Sequence, residues 1–250
     1  MGKVIAKKRF LLVPLFFCGA VCFAQAVFFQ PEMIHTVSGS LILDNTTGFS
    51  PYVDTGHILT PSFAASYTLD MPELYAETGA RFSAKTADVT TRAVYWPLFW
   101  NRLNAGVGLT YHFLSYDTVF FEQDLLAGLF FRYSYGAFTT TTDINYFRKW
   151  TRIYAVQQYI PWLTNDSIAF NTRWSWFILD HLDFYFSISS YTAYNYLLFF
   201  APDFTTGFDW RFPYGIVAGA EFNIQYIDMM TLSSYLDSVE LRLFTKWEFK

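Results

Sequence analysis

Apolar and polar positions alternate along most of the chain with a period of two. The clearest run is the last one, where Val239, Leu241, Leu243, Thr245, Trp247 and Phe249 occupy one face and Glu240, Arg242, Phe244, Lys246 and Glu248 the other. Successive side chains of a β-strand point to opposite sides, so the run predicts a strand with one face suited to hydrocarbon and, apart from Phe244, the other suited to water. The same rule sets Leu103, Ala105, Val107, Leu109, Tyr111 and Phe113 against Asn104, Gly106, Gly108, Thr110 and His112. It also sets Ile216, Ala218, Ala220, Phe222, Ile224 and Tyr226 against Val217, Gly219, Glu221, Asn223 and Gln225.

Phe63 to Leu69, Leu74 to Ala84, Leu125 to Tyr133, Ile168 to Ile178 and Leu182 to Ile188 follow the pattern with one or two exceptions each. Ile34 to Leu43, Val89 to Tyr95, Phe138 to Tyr146 and Phe204 to Phe212 carry Thr or Gly where bulk is expected, but fall where a strand keeps the meander in phase. The expected count is about twelve strands, with ten or fourteen as the alternatives, each near the ~9–11 residues a tilted strand needs to cross a bilayer. Short turns are expected at 70–73, 96–101, 135–136, 179–181 and 212–214, and longer connections at 44–59, 148–166, 190–203 and 227–237. Turns near Thr86 and Tyr116 are short exceptions on the long-connection side.

Composition separates a membrane barrel from a soluble β-protein. Aromatic residues make up 22% of the 250 residues and charged residues 15%, against roughly 25% charged in soluble domains. Beyond residue 26, no stretch reaches the roughly 18 uncharged apolar residues of a membrane helix. The polar face is dominated by Gly, Ser, Thr, Asn and Gln, as a confined lumen requires.

At the N-terminus, Lys3, Lys7, Lys8 and Arg9 precede the apolar run Phe10 to Phe23 and the small-x-small site Ala24-Gln25-Ala26. This is the pattern of a secretory signal peptide over residues 1–26, with the mature domain at 27–250. Both cysteines, Cys18 and Cys22, lie in that leader, so no disulfide or thiol chemistry is expected of the mature chain. The formal charge is −4, and removing a basic leader makes it more negative, which excludes a nucleic-acid partner.

In its leader, alternation, aromatic placement and terminal strand the chain resembles bacterial outer-membrane β-barrel proteins. The resemblance implies an all-β, antiparallel, up-and-down transmembrane barrel in the outer membrane, with membrane lipid around it. It also implies that Leu243, Trp247 and Phe249 form the C-terminal signal read by the barrel assembly machinery, here with Lys250 following. Trp96, Phe99, Trp100, Tyr133, Tyr135, Trp174, Trp176, Phe212 and Tyr214 gather with them near the short-turn ends, where amphipathic rings favour the interface.

The residues do not suggest catalysis. His35 with Ser38 and His112 with Ser115 are the nearest nucleophile-base pairs, but three residues along a strand place two side chains on opposite faces. There is no metal-ligand spacing and no phosphate-binding glycine loop, so no cofactor and no metal are expected. The inward charges are more informative. Arg81, Arg92, Arg102 and Arg132 stand against Glu77 and Asp124, and Arg173, Arg211 and Arg242 stand among Asp143, Asp183, Asp209, Glu221 and Glu240. Small inward residues suggest an open path, which Phe130, Tyr185 and Phe244 would narrow. The expected function is a narrow diffusion channel for small polar solutes, anions among them. A non-conducting barrel acting through its outer loops is the alternative.

Overall fold

The computed structural model describes residues 33–44, 60–84, 86–116, 120–153, 163–190, 202–227 and 235–250. The expected leader therefore lies outside the described residues, as do most of the expected long connections. Ile34–Lys250 forms one compact unit.

Twelve strands make up this unit: β1 (Ile34–Asp44), β2 (Thr60–Asp70), β3 (Leu74–Phe82), β4 (Thr86–Trp100), β5 (Leu103–Tyr116), β6 (Phe120–Tyr135), β7 (Phe138–Ile153), β8 (Leu163–Leu179), β9 (Leu182–Ser189), β10 (Asp203–Arg211), β11 (Ile216–Ile227) and β12 (Tyr235–Phe249). Each pairs antiparallel with its sequence neighbours, and β12 pairs with β1, so the sheet closes into a barrel. The closing register runs from His35 opposite Phe249 to Asp44 opposite Glu240. Closure leaves no strand edge and gives every paired backbone group a partner, which a sheet in hydrocarbon requires.

Alternation then sorts the side chains. Val107, Leu109, Leu129, Ile144 and Ile168, all near the middle of their strands, are each at least half exposed on the outer face. A belt of this kind, continued by Val37, Phe222, Leu241 and Leu243, is unfavourable in water and suited to lipid. On the inner face Ser38 and Ser66 hydrogen-bond at 2.6 Å, and Asp44, Asp143, Asp183 and Asp209 are buried.

The strands are longer than alternation alone suggests. Residues 96–100, expected in a turn, belong to β4, and a register shift between Tyr95 and Leu98 absorbs Pro97. The turn shrinks to Asn101, at positive φ, and Arg102. β7 runs on to Ile153 through Arg148 and Lys149, which the sequence pattern assigns to a loop. Their charges are answered by partners, Arg148 by Asp166 at 3.6 Å and Lys149 by Glu122 at 2.8 Å. At the short-turn end, backbone bonds join successive hairpins, from Ser134 N to Arg102 O (2.9 Å) and from Phe177 N to Ala137 O (2.9 Å).

Candidate functional site

The inner wall is built from a repeated three-layer unit. Phe130 on β6 lies against Gly108 on β5, Tyr185 on β9 against Gly207 on β10, Phe244 on β12 against Gly219 on β11, and Trp96 on β4 against Gly106 on β5. A β-carbon on Gly108, Gly207 or Gly219 would overlap the ring beside it, and one on Gly106 would crowd the Trp96 indole. These glycines are recesses that let large rings lie flat on the wall.

A cation then covers each ring. Arg92 sits 4.7 Å from the Phe130 centroid, Arg173 3.7 Å from Tyr185, Lys246 4.5 Å from Phe244 and Arg132 4.9 Å from Trp96. The electron-rich face of an aromatic ring attracts a cation, so each unit holds a cation in place on the inner wall. Gly108 and Gly219, which look in the sequence like open space, are therefore filled by Phe130 and Phe244, two of the rings expected to narrow the path, and Gly106 is filled by Trp96, which is buried here and not at the interface as expected.

Most lumenal cations are also neutralised. Arg81 donates to Asp44, to Glu240 (2.8 Å) and to Ser62 (2.9 Å), tying β3 to β1, β12 and β2. Arg92 reaches Asp143 on β7 at 3.2 Å. Arg211 binds Asp183 at 2.8 Å and Glu248 at 3.3 Å, and Lys246 binds Asp209 at 2.8 Å. Arg242 lies 4.0 Å from Glu221, which also accepts the Tyr185 hydroxyl at 2.8 Å. Glu77 accepts from Tyr75 at 2.8 Å and stands opposite Arg92 in the β3–β4 register.

Two residues differ. Arg132 and Arg173 make no ion pair with a carboxylate among the described residues, and both line the lumenal cavity. Arg102 differs in another way. It lies in the β4–β5 turn, its guanidinium 4.3 Å from the Tyr135 centroid, and corrects the expectation that it lines the wall. β5 begins at Leu103, so Arg102 belongs to the turn that precedes the strand.

Toward the long-connection end, β4 to β7 carry a dense charge cluster. Both ring nitrogens of His112 face carboxylates, Nδ1 to Asp124 at 3.1 Å and Nε2 to Asp88 at 3.0 Å. Lys149 lies 2.8 Å from Glu122 and 3.9 Å from Asp124, and these three are almost fully buried. His112, Glu122 and Asp124 converge closely enough to resemble a cation site, but the Lys149 ammonium already supplies the positive charge there. Nothing in the alternation pattern shows this cluster, because it gives the face of a residue and not its partner.

Toward the short-turn end the lumen opens into a cavity of about 450 Å³, lined by residues of β1–β4, β6–β9, β11 and β12. His35 faces outward, stacked on Phe249 at 5.2 Å and hydrogen-bonded to Tyr67 at 2.6 Å, whereas Ser38 faces in. Leu243, Trp247 and Phe249 all lie on the outer face, the last two with ring centroids 4.9 Å apart.

No family model matches the chain, and no curated protein matches it in sequence. Among solved structures the chain is similar to the KdgM porin in complex with disordered oligogalacturonate, with a TM-score of 0.58 and 6% identity over 86% of this chain and 99% of that one. It is also similar to the NanC porin in a rhombohedral crystal form, with a TM-score of 0.56 and 12% identity over 85% and 98% of the two chains. At these identities the likeness is one of fold. The shared fold is a closed antiparallel β-barrel.

Proposed function

We propose that the protein is a narrow outer-membrane diffusion channel for small hydrophilic solutes, with a preference for anions. The observation that carries this reading is the polar cavity of about 450 Å³ enclosed by the barrel, with Arg132 and Arg173 on its wall. Within a low-dielectric wall, cations with no carboxylate at ion-pairing distance raise the local anion concentration even when the chain is net negative. The proteins with a similar barrel are named porins, and one of them is described in complex with disordered oligogalacturonate. In this reading lipid surrounds the outer belt, and Leu243, Trp247 and Phe249 present the closing strand to the assembly machinery.

A second reading, a non-conducting barrel acting at the cell surface, is favoured by one observation. The buried cluster of His112, Glu122, Asp124 and Lys149 fills part of the lumen toward the long-connection end. Permeation separates the two. Proteoliposomes holding the channel admit a small uncharged sugar and swell, whereas the surface barrel leaves them as tight as protein-free vesicles.

A further inference from the structure

Arg132 and Arg173 stand in one row of the sheet, with Thr141 between them. Thr141 on β7 is opposite Arg132 on β6 and also opposite Arg173 on β8. Neighbouring strands are about 4.8 Å apart, which places the two arginine backbones about 10 Å from each other on the same wall. All three residues line the cavity. The other inward cations with described ion pairs, Arg81, Arg92, Arg211, Arg242, Lys149 and Lys246, each face a carboxylate. Arg132 and Arg173 instead rest on rings, Trp96 and Tyr185. A ring holds a guanidinium in place without cancelling its charge, so both forks retain their capacity to bind an oxyanion.

Trp96 adds an independent sign. It is 4% exposed, and its indole Nε1–H has no hydrogen-bond partner among the described residues. A buried donor left unsatisfied is costly, and it lies in the ring that Arg132 covers. We infer that Arg132, Thr141 and Arg173, backed by Trp96, form a binding site for the oxyanion group of a small solute, carboxylate or phosphate, at the short-turn end of the lumen. This inference rests on the channel reading and names its binding step. The threonine hydroxyl donates between the two guanidiniums, and the aromatic floors keep the cations from collapsing onto nearby acids.

Trp96 supplies the readout. The detergent-purified barrel is titrated with sodium gluconate in one arm and inorganic phosphate in the other, and tryptophan fluorescence is followed. A saturable change is expected in at least one arm, absent in Trp96→Phe, and weakened by about tenfold in Arg132→Gln and in Arg173→Gln, the loss of one charge-assisted contact. Arg148→Gln, on the outer face, binds as the wild type does. Heat-modifiable gel mobility and β-type dichroism show that each variant is folded. The arm that responds identifies the source of the oxyanion. Response in neither arm, or equal affinity in wild type and both arginine variants, overturns the site. The titration does not depend on ion flow. A barrel that binds but does not conduct refutes only the channel, and one that conducts without binding refutes only the site.

Discussion

Phe130 lies in the recess left by Gly108 on the neighbouring strand, so close that a β-carbon on the glycine would overlap its ring. Arg92 covers that ring, 4.7 Å from its centroid, and reaches on to Asp143. Position, ring orientation and cation are therefore set together, and the lumen stays open only while the ring lies flat.

Replacing Gly108 with Ala is expected to push the ring off the wall and reduce single-channel conductance severalfold, with folding yield little changed because the wet lumen accepts a displaced side chain. Adding Phe130→Ala removes the obstacle. Conductance of the double variant should return to or exceed the wild-type value. A double variant as restricted as Gly108→Ala alone would show that the recess does not control the ring.

The barrel closes where Phe249 on β12 meets His35 on β1, their rings stacked at 5.2 Å. Phe249→Ser removes apolar area from the outer face at this seam, and an open seam leaves unpaired backbone groups in hydrocarbon at several kcal/mol each. Leu129→Ser removes comparable area from mid-belt, away from the seam. The first variant should lower the yield of heat-modifiable barrel in membranes well below the second. Equal yields would deny the terminal aromatic a special part in assembly.

Lys149 and Glu122 are each 1% exposed and lie 2.8 Å apart. Lys149→Met leaves Glu122 and Asp124 buried together without the ammonium, a loss of about 3–5 kcal/mol for a broken buried pair. The double variant Lys149→Met, Glu122→Met removes both charges and should recover most of that stability. Unfolding in urea, followed by gel mobility, measures both. A double variant no more stable than the single one would contradict the pairing.

Much of the fold could be read from the sequence, because a period of two specifies both the strand and its faces. Alternation assigns Arg81, Arg92, Arg132, Arg173, Arg211 and Arg242 an inward register, and Arg92, Arg132, Arg173 and Arg242 line the cavity. Partners were not legible. Arg92 and Asp143 are 51 residues apart and three strands apart around the barrel, a relation that only closure creates. Strand ends are hidden for a related reason. Arg148 and Lys149 look like solvated loop residues until Asp166 and Glu122 come opposite or beside them. Pro97 suggests a turn, yet a register shift keeps it within β4; Arg102 falls in the two-residue turn before β5.

That displacement of Arg102 is itself testable. Arg102→Gln alters a turn residue packed on Tyr135 and should leave ion preference unchanged, whereas Arg132→Gln with Arg173→Gln removes the two lumenal charges without carboxylate partners. Reversal potentials in a salt gradient should move toward cations only in the double variant. The difference should shrink near 1 M salt, where the screening length falls to about 3 Å. An equal shift from Arg102→Gln would put that residue back in the permeation path.

Single-channel recording of the wild-type barrel in a planar bilayer under a potassium chloride gradient tests the central claim most directly. The structure predicts discrete conductance steps and a reversal potential on the anion side, set by Arg132 and Arg173. A correctly folded barrel that passes no current, or one that selects cations, would contradict it.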